Sequence, residues 1–199
     1  MGNVMTCTST HCRYVRSGTW AETMTKNPIY IGNNSNGSYK YIGQWVMPGI
    51  DTSLGEIKRV TLHIYRNSSS SGYAREQYVG CSASSTDSGS VLSTGIQIEI
   101  GAGEGWKSID ISGIAEYITQ YTSTWYLLIG NPNNNSTYVE VAGYGSGKML
   151  YLEIEFSSGS KIYLASNGAL EAYQLYHAEN GALVKYSVYR AESGALVKY

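Results

Sequence analysis

Residues 149–156 read MLYLEIEF and residues 60–66 read VTLHIYR. In the first stretch Leu150, Leu152, Ile154 and Phe156 alternate with Tyr151, Glu153 and Glu155. In the second, Val60, Leu62 and Ile64 alternate with Thr61, His63 and Tyr65. A period of two sends successive side chains to opposite faces of an extended chain. Both stretches therefore predict strands with one face in a core and the other toward water. Residues 39–46 (YKYIGQWV), 96–100 (IQIEI) and 125–129 (WYLLI) are also short, β-branched or aromatic, and flanked by Gly, Asn or Ser.

Turn material separates these runs: GNNSNGS at 32–38, NSSSSG at 67–72, SSTDSGS at 84–90, GAGEG at 101–105 and NPNNNS at 131–136. One helix is expected over 112–121 (SGIAEYITQY), where Ile114, Tyr117, Ile118 and Tyr121 recur at helical spacing and Ser112 is placed to cap it. Strands at intervals of about ten residues with a single short helix predict an all-β chain, a β-sandwich of the jelly-roll kind. Residues 157–160 (SSGS) read as a flexible joint. The expected organisation is a sandwich over 1–157, a linker over 158–160 and a repetitive β segment over 161–199.

The bulk composition narrows the function. Net charge is −1 with no basic run, which removes the electrostatic footprint of nucleic-acid binding. No apolar run reaches membrane-spanning length. Nineteen Tyr stand against one Phe, a bias that suits strands with a half-wet face because Tyr packs its ring and hydrates its hydroxyl. Such a composition fits an extracellular protein, yet the opening MGNVMTCTSTHCRYVRSG lacks the apolar centre of a secretory signal. A virion protein, made in the host cytoplasm and released by lysis, reconciles the two; a bacterial surface location is the alternative. Cys7, Cys12 and Cys81 are an odd number, expected as reduced thiols or one disulfide. Two sulfurs and His11 fall short of the four ligands of a structural zinc.

Several segments carry a family resemblance: Tyr14-Val15-Arg16, Ile31-Gly32-Asn33, Trp45, the run Ile57-Lys58-Arg59-Val60-Thr61-Leu62-His63-Ile64-Tyr65, Trp106-Lys107-Ser108-Ile109-Asp110-Ile111, and Leu150-Tyr151-Leu152-Glu153-Ile154. On these, residues 1–157 resemble the carbohydrate-binding-module-like jelly rolls of the DNRLRE-containing type, found in secreted bacterial proteins and in phage virion proteins. The Pro that the family carries before its last strand is replaced by Lys148-Met149. The resemblance implies a jelly-roll fold, and such folds host catalysis, sugar binding and pure architecture alike.

Catalytic constellations are weak. Glu153 and Glu155 would project from one strand face roughly 7 Å apart, where a solvated outer face is the simpler account. No G-x-S-x-G occurs, and none of His11, His63 or His177 has a hydrolase setting; His177 becomes Arg190 in the next repeat. No enzymatic activity, cofactor or metal is expected, and Asp51, Asp87 and Asp110 form no acidic cluster for calcium. A glycan site is the better candidate, since sugars stack on exposed aromatic faces beside planar polar groups. Trp20, Trp125, Tyr126, Tyr138 and Tyr144 lie near the polar loop holding Asn131, Asn133, Asn134 and Asn135, with Trp45 and Trp106 expected in the core.

The C-terminal segment repeats itself in frames 162–174, 175–187 and 188–199. Each frame holds a turn dipeptide, Asn167-Gly168, Asn180-Gly181 or Ser193-Gly194, the chemistry of a two-residue hairpin turn. Leu170, Tyr173, Tyr176, Leu183, Tyr186, Tyr189, Leu196 and Tyr199 give the strands between turns apolar residues on both faces. A ribbon of this length cannot cover two apolar faces alone. The style resembles the strand–turn repeats of trimeric viral fibre shafts, which implies copies of the same chain as partners, trimers favoured. The expected function is a bacteriophage structural protein, a fibre, collar or surface-decoration component contacting itself and other virion proteins. A glycan-binding adhesin module or an extracellular filament subunit is the alternative.

Overall fold

The computed structural model describes residues 3–20, 23–33, 39–67, 74–87, 89–131 and 138–157. It also describes the backbone of six C-terminal strands between 162 and 198. Among the described residues twelve strands precede residue 157. They are β1 (Val4–Thr8), β2 (His11–Arg16), β3 (Thr19–Trp20), β4 (Ile29–Asn33), β5 (Lys40–Met47) and β6 (Ile57–Arg66). Then come β7 (Ala74–Ser82), β8 (Ile96–Ile100), β9 (Gly105–Asp110), β10 (Trp125–Gly130), β11 (Val139–Val141) and β12 (Tyr151–Phe156). All of their ladder pairings are antiparallel. No helix among the described residues is long and apolar enough to cross a membrane.

The two opening stretches are hydrogen-bonded neighbours. Leu152 faces Leu62, Ile154 faces Val60 and Tyr151 faces His63 across the β12–β6 ladder. On the far side of β12 lies β1, and on the other edge of β6 lies β9. A second group of strands runs β2–β5–β10–β7–β8, with β3 continuing beyond β2. Strand β4 joins the groups, pairing β11 over Ile29–Ile31 and β5 at Gly32 and Asn33. Inward residues of both groups form one core: Leu62, Ile64 and Ile154 from the first, Trp45, Met47 and Leu127 from the second. All six are completely buried.

Residues 125–129 lack alternation because β10 is buried on both faces. Leu127 and Ile129 join the main core, while Leu128 packs on the reverse face with Val15, Ile42 and Val91. Val91 belongs to a short 3-10 turn, Gly89–Leu92, that crosses this face. Gly80 permits the crossing, since a Cβ there would lie 1.9 Å from the Ser90 carbonyl oxygen.

Two expectations about the helix are corrected. The helix is shorter than 112–121: a 3-10 turn at Ser112–Ile114 leads into α1 (Ala115–Ile118). Asp110 rather than Ser112 supplies the capping carboxylate, accepting from the Ser112 backbone N–H at 2.8 Å and from its hydroxyl at 2.6 Å. Ser112 Oγ instead accepts from the Val60 N–H, tying the turn to β6. Strands β1, β7 and β11 carried weak signals. β1 interleaves threonines, β7 is interrupted by an irregularity between Ala74 and Gln77 with Glu76 at φ 54°, and β11 has only three residues.

The contacts divide the chain into a unit Gly2–Phe156 and a unit Ser157–Tyr199. The second holds three separate hairpins: β13–β14 (Ile162–Ser166, Ala169–Tyr173), β15–β16 (Tyr176–Glu179, Ala182–Lys185) and β17–β18 (Tyr189–Glu192, Ala195–Lys198). Each repeat frame thus holds one hairpin, and the continuous strand implied across 169–179 is instead β14 and β15. Pairings Ser166↔Ala169, Glu179↔Ala182 and Glu192↔Ala195 bracket the three turn dipeptides. Asn167, Gly168, Asn180, Gly181, Ser193 and Gly194, with Tyr186 and Tyr199, lie outside the described residues.

Cys7, Cys12 and Cys81 are free and buried. Burial pushes the Cys7 thiol up to about 11 and the Cys12 and Cys81 thiols up to about 12, which suppresses the nucleophilic thiolate. Ellman's reagent at pH 8 is expected to titrate all three thiols rapidly in denaturant and none on the same timescale in the native protein. A fast native thiol would contradict the burial.

Candidate functional site

The outer face of the β12–β6–β9 strands carries aromatic residues where the alternation calls for water-facing ones. Tyr151, His63 and Ser108 form one cross-strand row, and Tyr65 with Trp106 form the next. Trp106 is 46% exposed, among the most open of the large hydrophobic residues. It is held edge-to-face against both Tyr65 (5.6 Å, 84°) and Tyr151 (5.6 Å, 64°). His63 stacks on Tyr151 at 4.4 Å and 7°.

Polar groups ring this surface. The Tyr65 hydroxyl donates to Glu104 Oε1 at 2.7 Å, and Lys148 Nζ lies 3.7 Å from the Tyr65 ring centroid. His63 Nδ1 lies 3.0 Å from the Ser108 hydroxyl. Its Nε2 is buried with no hydrogen-bond partner, a costly state. An indole buttressed from two sides and rimmed by an ammonium, a carboxylate and a hydroxyl is suited to stack one ring-sized ligand carrying polar substituents.

A second aromatic surface gathers Tyr14, Tyr30, Tyr39, Tyr41 and Tyr138. Tyr30 stacks with Tyr138 at 5.3 Å and meets Tyr14 edge-on at 5.1 Å. Tyr41 is within 5.8 Å of Tyr14, Tyr30 and Tyr138, and Arg16 lies over Tyr39 at 4.7 Å. The Tyr138 hydroxyl donates to Glu140 Oε1 at 2.8 Å. Burial, together with that carboxylate, pushes the Tyr138 phenol well above its usual range.

The expected glycan residues do not form one site. Trp125 is fully buried, stacks on Tyr121 at 5.5 Å and donates to the Pro48 carbonyl at 2.8 Å, so it presents no face to a ligand. Tyr126 points the opposite way from the same strand and is half-buried opposite Val46 and Ser82. Tyr138 belongs to the tyrosine cluster, while Tyr144 is 41% exposed and stacks on His11 at 5.3 Å. Trp20 contributes backbone to β3, its side chain being outside the described residues, as are Asn133, Asn134 and Asn135. Asn131 is buried and donates to the Glu76 carbonyl, a structural bond.

Trp106 was expected in the core and lies on the surface instead. The missed signal sits in the opening stretches, where His63, Tyr65 and Tyr151 occupy water-facing positions. The acids serve local structure: Asp51 accepts from Ser53, Asp87 from Ser90 and Asp110 from Ser112. Glu155 has a long pairing with Arg59 at 3.7 Å. Among the described residues no group of three or more His, Cys, Asp or Glu is placed to hold a metal ion.

No protein-family model matches the chain, and no curated protein is similar to it in sequence.

The two tryptophans should behave oppositely. Trp125→Ala is expected to cost about 3–5 kcal/mol of stability in denaturant titration, as for other large-to-small core changes. Trp106→Ala is expected to cost about 1 kcal/mol or less, because its ring is only partly withdrawn from water. Equal losses would contradict the placement of the two rings.

Proposed function

We propose that the protein is a non-enzymatic structural component of a bacteriophage particle, a fibre, collar or surface-decoration element assembling through its C-terminal repeats. The observation carrying this is the three hairpins, each paired only with itself among the described residues. A lone two-stranded hairpin is marginally stable in water, so three in series need something to cover them. Repeated strand–turn units of this style resemble viral fibre shafts, whose partners are copies of the same chain, trimers favoured. For Gly2–Phe156 the finer fold proposed is a jelly-roll sandwich. Two features support it: successive strands β5 to β10 pass repeatedly between the two groups, and β1 lies beside the last strand, β12.

The test is the mass in solution, by light scattering, of the full chain and of a chain ending at residue 157. The expected outcome is an oligomer for the first and a monomer for the second. A full chain that stays monomeric at tens of micromolar would refute assembly through the repeats.

A second reading, a glycan-binding module, is favoured by the Trp106 surface. A glycan array should then give signals that Trp106→Ala abolishes and Trp125→Phe retains. Blank arrays, or binding indifferent to Trp106, would remove it.

A further inference from the structure

The register within each hairpin sorts the repeat into two unlike faces. Tyr163 pairs with Ala172 and Ala165 with Leu170 in the first; Tyr176 with Lys185 and Ala178 with Leu183 in the second; Tyr189 with Lys198 and Ala191 with Leu196 in the third. Directly paired positions share a face, and positions two apart along a strand share it too. One face therefore carries the same Tyr, Ala and Leu in every repeat. The other changes from repeat to repeat: Leu164↔Glu171 becomes His177↔Val184 and then Arg190↔Val197, while Ser166 becomes Glu179 and Glu192. Charge divides the same way. The changing face holds Glu171, Glu179, Arg190 and Glu192, and the constant face only Lys185 and Lys198.

We infer that the constant Tyr–Ala–Leu face is the surface on which a second copy of this chain docks, and that the changing face is turned to water. This rests on the assembly function proposed above and adds which half of each hairpin performs it. The occupant follows from the spacing. Three stations sharing this Tyr, Ala and Leu lie thirteen residues apart, differing on that face only in Ala172 where the others have Lys185 and Lys198. A partner covering all three must repeat at that interval, as another copy of the chain does. The area is also sufficient. Three tyrosines at roughly 150–250 Å² each, with three leucines beside them, approach the ~800 Å² per partner of a standard stable interface. The expected assembly residues divide accordingly: Leu170, Tyr176, Leu183, Tyr189 and Leu196 fall on the docking face, and Tyr173 on the other.

Two triple variants of the full chain test this by sedimentation velocity. Leu170→Ser/Leu183→Ser/Leu196→Ser is expected to raise the dissociation constant at least tenfold, and Leu164→Ser/Val184→Ser/Val197→Ser to change it less than threefold. All four tryptophans precede residue 157, so their fluorescence checks independently that the first unit remains folded. Crosslinking avoids disturbing the ribbon: a bis-maleimide should join copies of Ala178→Cys and not of Ala182→Cys. If only the second triple variant dissociates, or Ala182→Cys alone crosslinks, assembly stands and the face assignment falls. Equal dissociation of both triple variants also overturns the assignment. A native chain that is monomeric throughout overturns the assembly function itself.

Discussion

Leu62 sits opposite Leu152, and Val60 opposite Ile154, across the antiparallel β6–β12 ladder. A slip of one residue in that register would turn Leu152, Ile154 and Phe156 to water and bring Tyr151, Glu153 and Glu155 into the core. Burying two carboxylates without partners costs several kcal/mol each, so the register is strongly specified. Other features follow from it. With β6 fixed, β9 and β1 take the remaining edges of the first group, and the Ser112 hydroxyl ties the short helical turn to Val60. The same register aligns His63, Tyr65 and Tyr151 with Trp106, so the exposed aromatic surface is the reverse side of the core-forming alternation.

The all-β character and most strand positions were legible because a period of two is a strong local signal. Residues 96–100 were read to their exact ends, and 60–66 and 149–156 to within three residues. What was not legible depended on contacts distant in sequence. Trp125 and Trp106 both sit beside polar loops, and nothing local says which is covered. Trp125 is enclosed because its strand is central in the second group, whereas Trp106 lies at an edge of the first. The helix is shorter than its apolar spacing suggests because the spacing continues to Tyr121, whereas the last α-helical hydrogen bond runs from Thr119 N–H to the Ala115 carbonyl and Tyr121 N–H then closes a tighter turn on Ile118. Apolar periodicity marks the face that packs and does not fix where the helix stops.

The two parts of the chain meet the same requirement by different means. In Gly2–Phe156 the strands share one main core, and a second small core covers Leu128 on the reverse face of its strand. In the C-terminal segment the strands carry apolar residues on both faces, yet among the described residues each ladder has only two members. Thirteen residues suffice for a hairpin and its turn but not for a second layer. Within the proposed assembly, sequence constancy on one face and variation on the other distinguish a surface that must fit copies of itself from one that must only remain soluble.

Amide hydrogen exchange across residues 162–198, followed as a function of protein concentration, tests this account most directly. Hairpins completed by other copies should exchange freely in dilute solution and become protected as concentration rises, while Gly2–Phe156 stays equally protected throughout. Protection of 162–198 that is strong and independent of concentration would show that the repeats complete their own fold, and would contradict assembly through them.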